Sequence, residues 1–159
     1  MRVEIFFDTA ATGAVKRAAP LFKSAVQSAL RAARTKRRVC LIFSGDRAIK
    51  ELNKKFLGRN RVTDVLVFGY PPRTGFKTSP VYGDIYVCLS QAARQAADMG
   101  HSLITEVLIL SVHGALHLAG MDDATLAQRK KMNAKTALLL RTLGVRGFRR
   151  GGTGPLSKP

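Results

Sequence analysis

Residues 103–118, which read LITEVLILSVHGALHL, carry apolar side chains at nearly every helical position. A helix that is apolar all round has no face to give to water, so it must be covered on every side by protein or by lipid. Lipid is the poorer reading. Glu106, His113 and His117 interrupt the run, and a membrane-spanning helix needs about 20 predominantly apolar residues. The segment is therefore expected to be the buried central helix of a globular domain, and the rest of the chain must supply its cover.

The flanking sequence reads as alternating strands and helices. Residues 3–7 are rich in β-branched and aromatic side chains and predict a first strand. An Ala-rich stretch over 14–34 predicts a helix whose start Pro20 resets. A second strand is expected over 38–43. Asp46 is a plausible N-cap for a helix to about Leu57, with Ile49, Leu52 and Phe56 on one face and Arg47, Lys50 and Lys54 on another. Further strands are expected over 64–68 and 81–89, separated by a Pro/Gly loop over 69–80. Ser90 should cap a helix to about Met99, which Gly100 ends; Ser102 should cap the central helix, which Gly120 closes. A last helix is expected over 124–143. This mixture predicts a single compact α/β domain over 1–145, with a small mixed sheet of about four strands packed with helices, and a basic flexible tail over 146–159. A chain of 159 residues with 46% apolar residues can bury one real core.

The charge is lopsided, with 27 Lys and Arg against 10 Asp and Glu, a net +17. The acids avoid two blocks: residues 9–45 hold eight basic residues and no acid, and residues 124–159 hold nine and no acid. Such an excess does not serve folding, and a polyanion is the expected partner. Binding should weaken with salt, with a logarithmic slope of roughly 0.7 to 0.9 per neutralised phosphate. No basic amphipathic helix with a large aromatic face is evident, so no membrane partner is expected. The N-terminus reads as a strand rather than a signal peptide. Cys40 and Cys88 lie in apolar strand-like runs and read as buried, reduced thiols of a cytoplasmic protein. The phenylalanines read mostly as core and there is no Trp, so no platform for stacking bases is evident. His101, beside Gly100 at a helix start, reads as solvent-facing. Asp64 and Asp84 are read equally as cleft residues or as turn-forming aspartates.

His113 and His117 are four residues apart on the central helix, which puts both imidazoles on one face where they can share a metal ion. Asp122 and Asp123 follow the Gly120 turn, and a carboxylate there can complete a three-ligand set. A metalloprotease would carry a glutamate directly after the first histidine as general base. That position is Gly114, so peptide hydrolysis is not expected. The other reading of Asp123 is a helix N-terminal acid.

The segment His113-Gly114-Ala115-Leu116-His117-Leu118-Ala119-Gly120-Met121-Asp122-Asp123 resembles the signature HGxLHLxGYDH of the YbeY family, bacterial metal-dependent endoribonucleases of ribosomal RNA maturation. Leu52-Asn53, Arg59 and Thr63-Asp64-Val65-Leu66-Val67-Phe68 resemble the family's LN…R…TDVLSF segment, and Gly83-Asp84-Ile85 its GDI strand. The similarity runs over about residues 3–144. It implies a zincin-like arrangement, with the metal-bearing helix packed on the sheet, and one divalent ion, zinc foremost, held by the signature's three histidines. On this chain those positions are His113, His117 and Asp123, because the third histidine is replaced. The resemblance further implies that Arg59 contacts the scissile phosphate beside His113, and that Arg61, Lys54 and Lys55 bind RNA. It implies single-strand-specific cleavage in the 3′-end processing of small-subunit ribosomal RNA and in ribosome quality control. Ribosomal RNA and the small subunit would be the partners, with no small-molecule cofactor.

Three departures stand out: Asp123 for histidine, Met121 for tyrosine and Val67 for serine. A carboxylate ligand lowers the net positive charge of the site and weakens it as a Lewis acid, and two His with one carboxylate suit iron or manganese better than three His do. The alternative reading is a non-catalytic, ribosome-associated RNA-binding factor with a degenerate metal site. No general base is assigned by the sequence.

Overall fold

A computed structural model describes residues 1–33, 36–70 and 81–146. The expected tail, past Arg146, and most of the Pro/Gly loop lie outside the described residues. Four strands, β1 (Arg2–Phe7), β2 (Arg38–Ser44), β3 (Val65–Gly69) and β4 (Val81–Cys88), form one sheet in the order β1-β2-β4-β3. β1, β2 and β4 run parallel, and β3 joins β4 antiparallel at the edge. The domain is the small mixed α/β sheet with helices that the sequence predicts.

Parallel neighbours need crossover connections, and helices fill them. α1 (Gly13–Arg17) and α2 (Ala19–Ala29) join β1 to β2. The single helix expected over 14–34 is thus two. Pro20 stands in the first turn of α2, where a missing N–H leaves no bond unmade. α3 (Asp46–Leu57) follows β2, and α4 (Leu89–Met99), α5 (Leu103–Leu118) and α6 (Leu126–Thr142) follow β4. Gly45, not Asp46, is the N-cap of α3. The Asp46 carboxylate instead accepts bonds from Arg94 at 2.8 and 3.0 Å and from the Cys88 thiol at 3.2 Å, tying α3 to α4. Likewise the N-cap of α4 is Cys88, two residues ahead of the expected cap at Ser90.

The register aligns Ile5, Leu41, Ile85 and Val67 in one row across the sheet. Because side chains alternate along a strand, this row and those two residues away share a face. α5 lies on that face. A methyl at Gly114 would stand 2.7 Å from Ile85 Cγ2 and 3.3 Å from the Cγ2 atoms of Val65 and Val67. Further along α5, a methyl on Gly83 would stand 2.5 Å from Leu118 Cδ2 and 2.7 Å from the Phe68 carbonyl oxygen. The C-terminal end of α5 therefore sits at the Gly69–Gly83 end of the β3–β4 pair. α5 is buried from Glu106 to His117, as its all-round apolar sequence requires.

α3 covers the opposite face, where Ile49, Leu66 and Cys88 form a second small core with Leu52, Phe68 and Tyr86 against it. Phe22 and Phe43 are buried and meet edge to face at 5.4 Å, as core phenylalanines should. Phe6, Phe7 and Phe56 are exposed instead. The first two stand on the edge strand β1, and Phe56 stands in the last turn of α3.

Candidate functional site

The two ends of α5 are held differently. At its start Ser102 Oγ accepts the Thr105 N–H at 3.1 Å, the expected cap. His101 is not solvent-facing: its side chain is buried, with Nε2 2.5 Å from Glu106 Oε2. Burial raises the Glu106 carboxyl above its ordinary range, and the His101 contact opposes that rise. At the other end Gly120 takes a left-handed conformation (φ +90°). Its N–H donates to the His117 carbonyl at 2.9 Å and the Met121 N–H donates to Leu116 at 3.0 Å. This Schellman turn satisfies the last carbonyls and reverses the chain. The Tyr82 hydroxyl also donates to the Leu118 carbonyl at 3.1 Å. Arg37 lies over the Tyr82 ring, 5.6 Å from its centroid, and donates to the backbone carbonyls of Tyr70 and Val81.

The reversed chain brings Asp123 back beneath the helix. Asp123 Oδ2 lies 3.4 Å from His113 Nε2 and 3.5 Å from His117 Nε2. The two imidazoles are 5.1 Å apart between centroids and steeply inclined. All three side chains are buried, and their donor atoms lie within 4.8 Å of one another. Asp123 is not a helix N-terminal acid: α6 starts at Leu126, with Thr125 as N-cap in a capping box with Gln128. Asp122 is exposed and turns its Oδ1 to the Asp123 N–H at 2.9 Å. Two imidazole nitrogens and a carboxylate oxygen that converge in a buried cluster are a donor set suited to one divalent transition-metal ion. Among the described residues no other group of three such side chains converges this way.

The cationic residues expected to bind RNA lie in and after the last turn of α3. Lys54, Lys55, Arg59 and Arg61 are all exposed. α3 ends at Gly58 in a left-handed conformation (φ +68°). The loop beyond is anchored at Asn53, which is fully buried: its side-chain amide donates to the Arg61 carbonyl at 2.8 Å, and its backbone carbonyl accepts the Arg59 N–H at 3.3 Å. This gives the buried Asn53 of the Leu52-Asn53…Arg59 pattern its physical reason. Phe56 packs on Phe68, next to Gly69, so the end of α3 and the histidine end of α5 lie at the same end of the sheet, on opposite faces.

Neither strand aspartate faces the cluster. Asp64 Oδ1 accepts the Val65 N–H at 2.8 Å and Oδ2 accepts the Gln95 amide at 3.1 Å, so it builds the turn into β3. Asp84 alternates with Gly83 and Ile85 and points to the α3 face, where it accepts the Tyr70 hydroxyl at 2.7 Å. Burial, then the bond to Asp84, pushes the Tyr70 hydroxyl upward. Both cysteines are free thiols; Cys88 is buried, whereas Cys40 is only half-buried. Burial pushes each up to about 11.

Residues 7–144 match the family model described as Endoribonuclease YbeY. The chain belongs to the YbeY endoribonuclease family. Curated relatives named Endoribonuclease YbeY include that of Elusimicrobium minutum, 39% identical over 142 residues that cover 88% of this chain and 98% of the relative. Another, from Desulforamulus reducens, is 40% identical over 111 residues, covering 67% of this chain and 72% of the relative. The solution structure of TM1509 from Thermotoga maritima is similar, with a TM-score of 0.61 and 27% identity over 89% of this chain and 88% of that one. Against the YbeY signature, the departures sit in distinct places. Val67 faces Gly114 across the helix–sheet contact and serves packing, Met121 packs against the main core, and only Asp123 changes the donor set. Sequence reasoning passed over Tyr82, Arg37 and the His101–Glu106 pair because each acts through a partner distant in sequence or across a helix cap.

Proposed function

We propose that this YbeY family member is a metal-dependent endoribonuclease that cuts single-stranded RNA in ribosomal RNA maturation, in the cytoplasm, with ribosomal RNA of the small subunit as its substrate. The observation that carries the reading is the convergence of His113, His117 and Asp123. Zinc, the first candidate ion, would polarise a phosphate oxygen when bound. The chain's own residues supply the rest. His113 and His117 present nitrogens from one rigid helix face, and burial keeps bulk water from competing with them. Asp123 adds a negative charge that lowers the net charge of the bound site. Arg59, fixed near the helix end by Asn53, offers a guanidinium to the charge that develops on the phosphoryl oxygens. Lys54, Lys55 and Arg61 hold the flanking backbone. α6 begins directly after Asp123 and presents exposed Lys130, Lys131 and Lys135, which extends the cationic surface.

One observation favours a second reading. The third donor is a carboxylate oxygen where the family signature has an imidazole, and a weakened site would leave an RNA-binding factor that does not cut. Single-turnover cleavage of a structured ribosomal RNA fragment by metal-loaded protein separates the two. The nuclease reading expects cleavage that a chelator abolishes and that His117→Ala removes. Chelator-insensitive cleavage that survives His117→Ala refutes it, whereas tight, salt-sensitive binding to ribosomal subunits without cleavage supports the factor. Asp123→His is expected to retain zinc more tightly, with unchanged or higher activity. Loss of all bound metal in that variant would show that Asp123 does not occupy a ligand position.

A further inference from the structure

The geometry points to a base-stacking subsite at Phe56, which holds an unpaired nucleobase of the RNA strand while the adjoining lysines take its phosphates. This deepens the nuclease reading and rests on the chain binding RNA. Phe56 is 51% exposed in the last turn of α3. A single exposed apolar side chain is ordinary, and three further observations set this one apart.

The ring is buttressed. It meets Phe68 at 5.1 Å between centroids and 64°, and Phe68 in turn meets Tyr86 at 5.8 Å and 86°. This ladder of edge-to-face contacts runs into the sheet, so the outer ring is held in one orientation. The surroundings are cationic rather than apolar. Residues 50–61 carry Lys50, Lys54, Lys55, Arg59 and Arg61 against one acid, Glu51, and Glu51 is already paired with Arg47 at 3.1 Å. Lys55 Nζ lies 5.3 Å from the Phe56 centroid. An apolar protein partner would want a wider apolar rim, whereas an aromatic face ringed by ammonium and guanidinium groups matches a base and its phosphates. Finally, Phe56 lies at the end of the sheet where α5 presents His117, on the other side of edge strand β3. A strand stacked on Phe56 can pass around that edge toward the histidines. The exposed, unbranched Lys55 side chain yields the ring face to a base and carries its charge to the next phosphate.

Such a site selects unpaired RNA, because a base within a duplex offers no free face. The chain has no Trp, so Phe56→Trp introduces a single fluorophore at the platform. Titration with a short unpaired oligoribonucleotide is expected to quench its emission saturably, and a hairpin duplex of the same length is expected to leave it nearly unchanged. Phe56→Leu keeps an apolar contact on Phe68 and removes the flat face. It is expected to weaken binding of the unpaired strand about tenfold, within the range of one stacked base, and to change duplex binding by less than about twofold at equal salt. Emission that stays unmoved at saturating unpaired RNA, or Phe56→Leu binding that strand as wild type does, overturns the subsite. If wild-type protein binds and cleaves RNA while Phe56→Leu is indistinguishable from it, the platform alone falls. If wild-type protein binds no RNA, the nuclease reading falls with it.

Discussion

Replacing Gly114 by alanine sets two effects of known size against each other. In an ordinary helix interior, alanine is favoured over glycine by about 0.8 to 1.0 kcal/mol. Here the added methyl would lie 2.7 Å from Ile85 Cγ2 and 3.3 Å from the Cγ2 atoms of Val65 and Val67. All three neighbours are β-branched residues on strands, so their Cγ2 atoms are fixed by a single χ1 and cannot swing clear. Overpacking of this kind costs about 1 to 3 kcal/mol. The sum leaves Gly114→Ala destabilised by up to about 2 kcal/mol, with no net gain expected even though the residue is helical.

The assay is urea unfolding at unchanged slope, with bound metal measured in parallel. Because His113 precedes Gly114, lifting the helix from the sheet also shifts an imidazole relative to Asp123, so metal affinity should fall together with stability. A double-mutant cycle isolates the contact. Ile85→Ala removes the nearest atom, and in that background the helix preference dominates, so Gly114→Ala becomes neutral or mildly stabilising. If Gly114→Ala raises the midpoint in the otherwise unaltered protein, α5 does not approach the sheet as closely as described. The same contact explains why the residue after the first histidine is not the glutamate of a metalloprotease: a side chain at 114 would have to enter the sheet.

Three further outcomes are expected. Asn53→Ala removes the amide that holds Arg61 and should cost about 1 to 2 kcal/mol and weaken RNA binding; undiminished RNA affinity alongside lowered stability would show that the Arg59 loop needs no such anchor. With the thiols of Cys40 and Cys88 raised to about 11 by burial, about one in a thousand is ionised at pH 8, so iodoacetamide should modify neither in the folded protein and both in urea, and rapid native labelling would refute the placement. Glu106 has its carboxyl raised above the ordinary 4.5, chiefly by burial. The native state therefore holds that proton more tightly than the unfolded chain, and the stability this contributes is full below 4.5 and lost as pH rises through the raised value. Glu106→Gln removes this dependence, so its Tm should fall less between pH 4.5 and neutrality than that of the unaltered protein, and an equal fall in both would contradict it.

What the sequence disclosed, and what it hid, follows the range over which each interaction acts. The pairing of His113 with His117 is legible because helical period is local, and the end of α5 is legible because Gly120 supplies a turn few other residues tolerate. The core role of α5 follows from its composition alone. The burial of His101 was not legible, since its partner Glu106 lies across the helix cap and only the folded turn brings them together. Phe56 falls on the apolar face of its helix by periodicity, and only the position of α3's last turn over edge strand β3 shows that the face runs out beneath it. Asp46 reads as a cap by residue type, but the carboxylate is drawn to Arg94, 48 residues away.

Asp123 joins the two kinds of information. The features that carry position 123 to the histidines lie in its neighbours: the left-handed Gly120, the paired turn bonds from Gly120 and Met121, and the Thr125–Gln128 capping box that starts α6. None of them depends on the side chain at 123. An oxygen donor can therefore stand where the family signature has a nitrogen, with the approach of the chain unchanged. The shorter aspartate still reaches both imidazoles, at 3.4 and 3.5 Å. The carboxylate thus sets the charge and hardness of the three-residue group. That is why metal preference, more than the presence of a site, is the property that a carboxylate at 123 should set.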